Sequence, residues 1–208
     1  YKRFTLMKIL LTGGKGQFGI TFKYLIPKNI EGSPIRLFTP SRRELNIIDE
    51  KLCYSYIKKI KPDWVINAAA FTNVDEAEIL PDKANLVNGM APYFLSKAID
   101  KVGGKLIQIS TDFVFDGKKL SAYNTFDQRN PINTYGKTKE KGELAVEEIL
   151  HPKGKGLILR TSWLMSPFRN NFLLTILKLL NSKSQIKVVY DQIGCPTSTF
   201  TLAKLVWS

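Results

Sequence analysis

The sequence predicts an α/β fold, a doubly wound parallel sheet followed by the start of a smaller part. Three observations predict it. Short apolar runs alternate with stretches of helical spacing through most of the 208 residues. The first run leads directly into a glycine-rich turn, Gly13-Gly14-Lys15-Gly16-Gln17-Phe18-Gly19. The stretches between runs are long enough for the crossovers that parallel strands require.

Taken in order, residues 8–12 read as a buried strand, and the glycine turn opens a helix that runs to about residue 26. Residues 35–38 form a second strand, and residues 49–60 a helix with Leu52, Tyr56, Ile57 and Ile60 on one face. A strand at 63–70 enters a run of small residues. A long helix at 81–102 follows and is stopped by Gly103-Gly104. Residues 105–110 are again a strand, and a loop rich in Asp, Asn and Pro leads to a helix at 132–150. Then come a strand at 156–164, a helix at 172–181, a strand at 186–189 and a helix at 199–207, where the chain stops inside a helical pattern. This divides the chain into a dinucleotide-type domain, 7–165, and a mixed segment, 166–208, holding a returning strand and an incomplete substrate-binding part.

Composition narrows the class. With 44% apolar and 24% charged residues the chain is an ordinary globular one rather than a disordered one. No apolar run approaches the ~20 residues that span a bilayer, and Lys178 interrupts the strongest candidate. Met7 reads as a natural start, so the first six residues are a leader, a tag remnant or a misplaced start, and they are too polar for a signal peptide. Cys53 and Cys195 fit no metal or redox spacing, which points to a reduced, cytoplasmic protein. The net charge of +13 comes from scattered lysines with no basic stripe and no nucleic-acid module, so no nucleic-acid partner and no membrane partner are expected. A positive field of this kind suits anionic ligands. His151, the one histidine, lies in a Pro/Lys/Gly loop and reads as solvated.

The glycine turn carries the first functional signal. Glycines let the backbone turn sharply and approach a pyrophosphate, whose charge meets the free N–H groups of the helix that follows. The spacing of Gly13, Gly16 and Gly19 is looser than the strict dinucleotide fingerprint, but it sits between a strand and a helix, as a Rossmann fold requires. The acidic residue that would hold a ribose hydroxyl is missing after the second strand. Thr39-Pro40-Ser41-Arg42-Arg43 stands there, and its arginines suit either a 2′-phosphate or plain solvation.

The second signal is Tyr135 and Lys139, four apart on a helix and so on one face. An ammonium near the phenol would favour the phenolate and bring its acidity toward neutral pH. The hydroxyls of Ser110 and Thr111 would sit at the carboxyl edge of the sheet, where ligands of such folds bind.

Several segments together resemble one family. They are residues 13–19, Asn-Ala-Ala-Ala-Phe-Thr-Asn-Val-Asp at 67–75, Ser-Thr-Asp-Phe-Val-Phe-Asp-Gly at 110–117 and Tyr-Gly-Lys-Thr-Lys at 135–139. Arg-Thr-Ser-Trp at 160–163 and Asp-Gln-Ile-Gly-Cys-Pro-Thr at 191–197 complete the set. In this order they resemble the dTDP-4-dehydrorhamnose reductase family of extended short-chain dehydrogenases, whose chains run beyond this length. The resemblance implies reduction of the 4-keto group of dTDP-4-dehydro-L-rhamnose by NADPH or NADH. It implies Tyr135 as proton donor, Lys139 as the group that holds the nicotinamide ribose, and Thr111 as a hydrogen-bond partner of the reacting oxygen. Asp112 and Trp163 would contact the sugar nucleotide, although Trp163 taken alone reads as core. Gly13, Gly16, Gln17, Phe18 and Gly19 would lie under the pyrophosphate, with Asn46, Ile47, Ala70 and Thr72 along the rest of the cofactor. Asn46 stands where many relatives carry Asp, and Phe113 where they usually carry Tyr. No metal is expected, since Ile20 and Thr21 rather than carboxylates follow the glycine turn. The partner is a nucleotide sugar, and a homodimer is compatible with the family. The alternatives are a reductase of another nucleotide-linked 4-ketosugar, or a noncatalytic dinucleotide-binding regulatory subunit such as that of methionine adenosyltransferase.

Overall fold

The computed structural model describes residues 5–182 and 185–208. In chain order the strands of the main sheet are β1 (Met7–Thr12), β2 (Asn29–Ile30), β3 (Ser33–Phe38), β4 (Trp64–Asn67), β5 (Lys105–Thr111) and β6 (Gly156–Thr161). They lie in the order β2-β3-β1-β4-β5-β6, all parallel except the short β2. The winding therefore reverses between β1 and β4. At such a switch point the loops leaving the two strands diverge and open a crevice at their carboxyl ends.

The apolar runs become strands because both faces of the sheet are covered. Leu10, Val65 and Leu106 point to one side, against α2 (Glu50–Ile60), α5 (Ala91–Val102) and α6 (Thr134–Leu150). Ile9, Leu11, Ile66 and Ile107 point to the other, against Phe18 and Phe22 of α1 (Gln17–Tyr24) and Leu202 and Trp207 of α8 (Thr199–Trp207). Chain-terminal α8 thus covers a face that α1 alone would leave half bare.

Elsewhere the elements differ from expectation in instructive ways. The first helix ends at Tyr24, with Leu25 already out of helical geometry. β4 stops at Asn67, because residues 68–70 leave the sheet to cross the glycine turn. Beyond the small residues after Asn67 a short helix forms that the sequence did not predict, α3 (Val74–Ile79), started by the Asn73 side chain accepting from Glu76 N. The expected helix at 81–102 is α4 (Pro81–Asn85) and α5 joined by a π-helical turn, Leu86–Met90. The strand expected at 156–164 breaks after Thr161, since Trp163 takes a left-handed backbone (φ 46°) that no strand tolerates. Beyond it, β7 (Leu164–Met165) pairs with β8 (Thr197–Ser198) in a separate small sheet. The helix expected at 172–181 is α7 (Phe172–Leu180).

No strand forms at 186–189. Val188 and Val189 are exposed and no strand among the described residues pairs with their backbone, so apolar composition alone does not make a strand there.

α8 is held chiefly by Trp207. Its ring stacks on Phe22 at 3.9 Å between centroids, and its Nε1 donates to the Phe22 carbonyl at 3.0 Å. Replacing this side chain by alanine removes a large buried ring and leaves a cavity with an unpaired carbonyl. Trp207→Ala is expected to cost ~3–5 kcal/mol of stability, read from the urea unfolding midpoint. An unshifted midpoint would show that α8 is not part of the folding unit.

Candidate active site

From the carboxyl ends of β1 and β4 to the middle of β5 a line of polar side chains crosses the sheet. Thr12, Asn67 and Gln108 are register partners on adjacent strands. Thr12 Oγ1 donates to Asn67 Oδ1 at 2.6 Å, Asn67 Nδ2 donates to Gln108 Oε1 at 2.7 Å, and Gln108 Nε2 donates to the Ile109 carbonyl at 2.9 Å. The same carbonyl accepts from Lys139 Nζ at 2.6 Å. Lys139 is buried, and burial lowers its pKa to about 8, with the charge of Glu143 acting the other way.

Tyr135 reaches this corner because Gly136 lets α6 lie against the turn Asp112–Val114; a Cβ at Gly136 would collide with the Phe113 carbonyl. Asn133 caps the helix by accepting from Gly136 N at 2.7 Å, and Glu78 of α3 accepts from both the Thr134 backbone and its hydroxyl at 2.7 Å. The phenol ring packs edge-on to Phe113 at 5.5 Å. Burial pushes the Tyr135 phenol above its usual range, the Thr111 hydroxyl beside it pulls down, and the Asp112 charge adds to the rise. In this geometry the Lys139 ammonium donates to the Ile109 carbonyl, and the causes acting on the Tyr135 phenol are its burial, Thr111 and Asp112. Thr111 donates to Asp112 Oδ1 at 3.1 Å, and burial raises the Asp112 carboxyl. Of the two hydroxyls expected at the open edge, only that of Thr111 belongs there. Ser110 points inward, where its buried hydroxyl lies beside the Glu143 carboxylate and helps to lower that group's pKa.

The glycine turn lies across the switch point. Gly13 has φ 68°, and a Cβ there would stand 2.6 Å from the Ala68 backbone, so the turn and the β4 loop touch. Gly19 packs so closely on Gly13 that a Cβ would strike its carbonyl oxygen. Gly16 differs: it is exposed, a Cβ there would meet only the Gly13 carbonyl at 3.3 Å, and as N-cap of α1 it supplies no side-chain partner. The uncapped N–H groups of α1 thus face open space, a cradle that fits a phosphate group. Phe18 turns its ring into the core and has only backbone to offer a ligand. Gln17 Oε1 accepts from Ser166 and Asn171 at 3.2 and 3.4 Å, and Arg169 donates to the Lys15 carbonyl at 3.0 Å, so residues 166–171 strap the turn.

The remaining site candidates are spread around this crevice. Arg42 and Arg43 are exposed after β3, with no ion-pair partner among the described residues, and nearby Thr39 lies beside Gly14. Asn46 and Ile47 precede α2, where Cys53 donates to the Ile47 carbonyl at 3.4 Å, and Ile47 packs on the core. Ala70 and Thr72 flank Phe71, which is clamped at both backbone groups by Asn88 at 2.9 and 3.0 Å. Trp163 is partly exposed, carries Gly194 against its indole and tilts toward Phe172 at 6.2 Å. Ser162 Oγ donates to the Cys195 carbonyl at 2.6 Å, which joins the 160–163 and 191–197 segments.

Asn88 escaped the sequence reading. It lies in the π turn, buried, and also bonds Thr138 Oγ1 at 3.2 Å, so it ties the β4 loop to the tyrosine helix. The run around it looks like ordinary amphipathic helix, and only the widened turn shows its role.

Lys139 sets a stability test. Its folded pKa of about 8 lies below the ordinary 10.5, so the folded state pays to hold this proton, fully so below about 8. That penalty fades as pH rises from about 8 toward 10.5, where the unfolded chain also loses the proton. Lys139→Met is therefore expected to be more stable than the parent at neutral pH. The gap, measured by urea unfolding, should narrow across that window; a gap that widens there would contradict the assigned burial.

Comparison with known proteins places this geometry. A family model described as the RmlD substrate binding domain matches residues 7–208. The spore coat polysaccharide biosynthesis protein SpsK of Bacillus subtilis is 36% identical over 201 residues, which are 97% of this chain and 69% of that protein. A dTDP-4-dehydrorhamnose reductase of Burkholderia thailandensis is 39% identical over 95% of this chain and 63% of its own length. Among solved structures, the dTDP-4-dehydrorhamnose reductase of Clostridium acetobutylicum has 38% identity and a TM-score of 0.88, covering 96% of this chain and 69% of that one. That of Bacillus anthracis, solved in complex with NADP, has 33% identity and a TM-score of 0.90, covering 97% and 70%. The chain thus spans roughly two thirds of its relatives' length. With its sheet, glycine turn and Thr111–Tyr135–Lys139 corner, this chain belongs to the RmlD family, whose matched members include dTDP-4-dehydrorhamnose reductases.

Proposed function

We propose that this chain is the cofactor-binding and catalytic part of a reductase acting on the 4-keto group of dTDP-4-dehydro-L-rhamnose, forming dTDP-L-rhamnose. The observation that carries the reading is that the Tyr135 phenol lies beside Thr111 at the end of β5 while Lys139, one turn further along α6, reaches the Ile109 carbonyl of the same strand, two strands from the glycine turn after β1. A dinucleotide would lie with its pyrophosphate over Gly16 at the N-terminus of α1 and its nicotinamide ribose near Lys139. Bound there, the reduced nicotinamide ring supplies the hydride. The chain's own residues do the rest. Thr111 hydrogen-bonds the ketone oxygen and orients the sugar, with Asp112 and Trp163 bordering it. As negative charge grows on that oxygen, the Tyr135 phenol gives up its proton and is re-protonated from solvent.

The raised Tyr135 pKa keeps the phenol protonated before reaction, as a proton donor must be. A positive Lys139 nearby then stabilises the phenolate left behind. Arg42 and Arg43, free and exposed where the adenosine ribose would end, favour a 2′-phosphate and hence NADPH. The substrate is a soluble nucleotide sugar and both cysteines are free thiols, which supports a cytoplasmic site of action.

Tyr135→Phe is expected to lower turnover of dTDP-4-dehydro-L-rhamnose by ~10²–10⁴, with NADPH affinity unchanged, both followed by cofactor absorbance and fluorescence. Near-parent turnover would remove Tyr135 as the acid.

Cofactor choice is tested separately. Arg42→Ala with Arg43→Ala should weaken NADPH and leave NADH alone, by a modest factor because salt screens exposed charge. An unchanged NADPH/NADH affinity ratio would leave the two arginines as surface charge.

A further inference from the structure

Among the described residues only two side chains that carry full charge at neutral pH are buried, and they stand one helical turn apart: Lys139 (4% exposed) and Glu143 (0% exposed) on α6. The spacing puts them on one helix face. Lys139 has a single hydrogen bond, to the neutral Ile109 carbonyl. An ammonium held in the interior by a neutral acceptor alone is driven toward losing its proton.

Glu143 is the anion within reach, but it is shared. Arg160 of β6 donates to it through Nε at 3.0 Å and Nη2 at 2.7 Å, and Arg129 from the preceding loop donates at 3.0 Å. Arg129 has its own counter-charge, since Glu147 accepts from it in a fork at 2.9 and 2.8 Å. That leaves one fully buried carboxylate balancing the Arg160 guanidinium and the Lys139 ammonium.

The other groups facing Lys139 do not substitute for it. Asp112, after β5, bonds Thr111 and has its own pKa raised by burial. Glu78 of α3 is engaged at the start of α6 through Thr134, and the π turn contributes neutral Asn88. Tyr135, on the same helix, is uncharged before reaction.

We infer that Glu143 is a positioning residue whose buried charge keeps Lys139 protonated at neutral pH, and that Arg160 limits this hold by competing for the same carboxylate. Breaking the arrangement from either side has opposite consequences. Without the Glu143 charge, Lys139 is left among arginines and sheds its proton at lower pH. Without the Arg160 guanidinium, the carboxylate serves Lys139 more fully, and the proton is held to higher pH.

The inference gives Lys139 a purpose only within the reductase reading, but it can be tested without cofactor or substrate. Protein with ¹³C at lysine Cε is titrated by NMR, with Lys139→Met used to assign the signal. Glu143→Gln should move the Lys139 midpoint down by ~1 pH unit or more, and Arg160→Met should move it up. A purely packing role would lower the melting temperature of both variants without moving the midpoint in opposite directions. An unmoved midpoint in Glu143→Gln overturns the inference. Should that variant not fold, Arg160→Met decides alone: an upward shift supports the inference, and no shift or a downward one overturns it. A parent protein that fails to reduce the ketosugar would refute the reductase reading and leave this titration as it stands.

Discussion

The site depends on one crowded carbonyl. The Ile109 oxygen, inside the sheet, accepts from the Gln108 amide and from the Lys139 ammonium. A buried acceptor without partners is costly, and a buried donor without partners equally so, so each of these groups fixes the other. Gln108 is held by Asn67 and Asn67 by Thr12, which extends the constraint across three strands. The strand register and the position of Lys139 are thus a single condition: slide one strand by a residue, and the polar side chains turn to the wrong face.

Around that condition the helices are brought in by small residues and clamps. Gly136 permits contact between α6 and the turn after β5, and Asn88 stitches the β4 loop to Thr138. The first is a contact with the Phe113 backbone carbonyl, and the second joins the Phe71 backbone to the Thr138 hydroxyl. Of the groups that would meet a ligand, the N-terminus of α1 has no side-chain cap, whereas Thr111 also caps the turn after β5 by accepting from Phe113 N. A rigid frame is what positioned catalysis needs.

The electrostatics follow the same division. Most of the +13 net charge is carried by scattered lysines and arginines, yet the interior holds a single carboxylate that answers two cations. Surface charge sets a general attraction for anions, which falls off within a Debye length. The buried charges act over a few ångströms of low dielectric and decide the proton state of one lysine.

Much of this architecture is legible in the sequence because it depends on local pattern. The first strand, the glycine turn and the helix it opens, the stop at Gly103, and the i, i+4 spacing of Tyr135 and Lys139 are written in adjacent residues. The reading failed where the outcome rests on distant neighbours. Residues 186–189 have strand composition but pair with no strand among the described residues, and Trp163 breaks a strand that its sequence would continue. Ser110 and Thr111 look equivalent in sequence, and both are buried, yet pleating sends one hydroxyl toward Glu143 and the other toward Tyr135 and Asp112. The sequence by itself determined the fold class, the glycine turn and the chemical groups on the tyrosine helix. Only the tertiary structure decided that the Lys139 ammonium donates to the Ile109 backbone carbonyl, and that Glu143, one turn further on, is fully buried between Arg129 and Arg160. The physical reason is that a proton's residence depends on burial and on partners from other strands and loops, and linear spacing specifies neither.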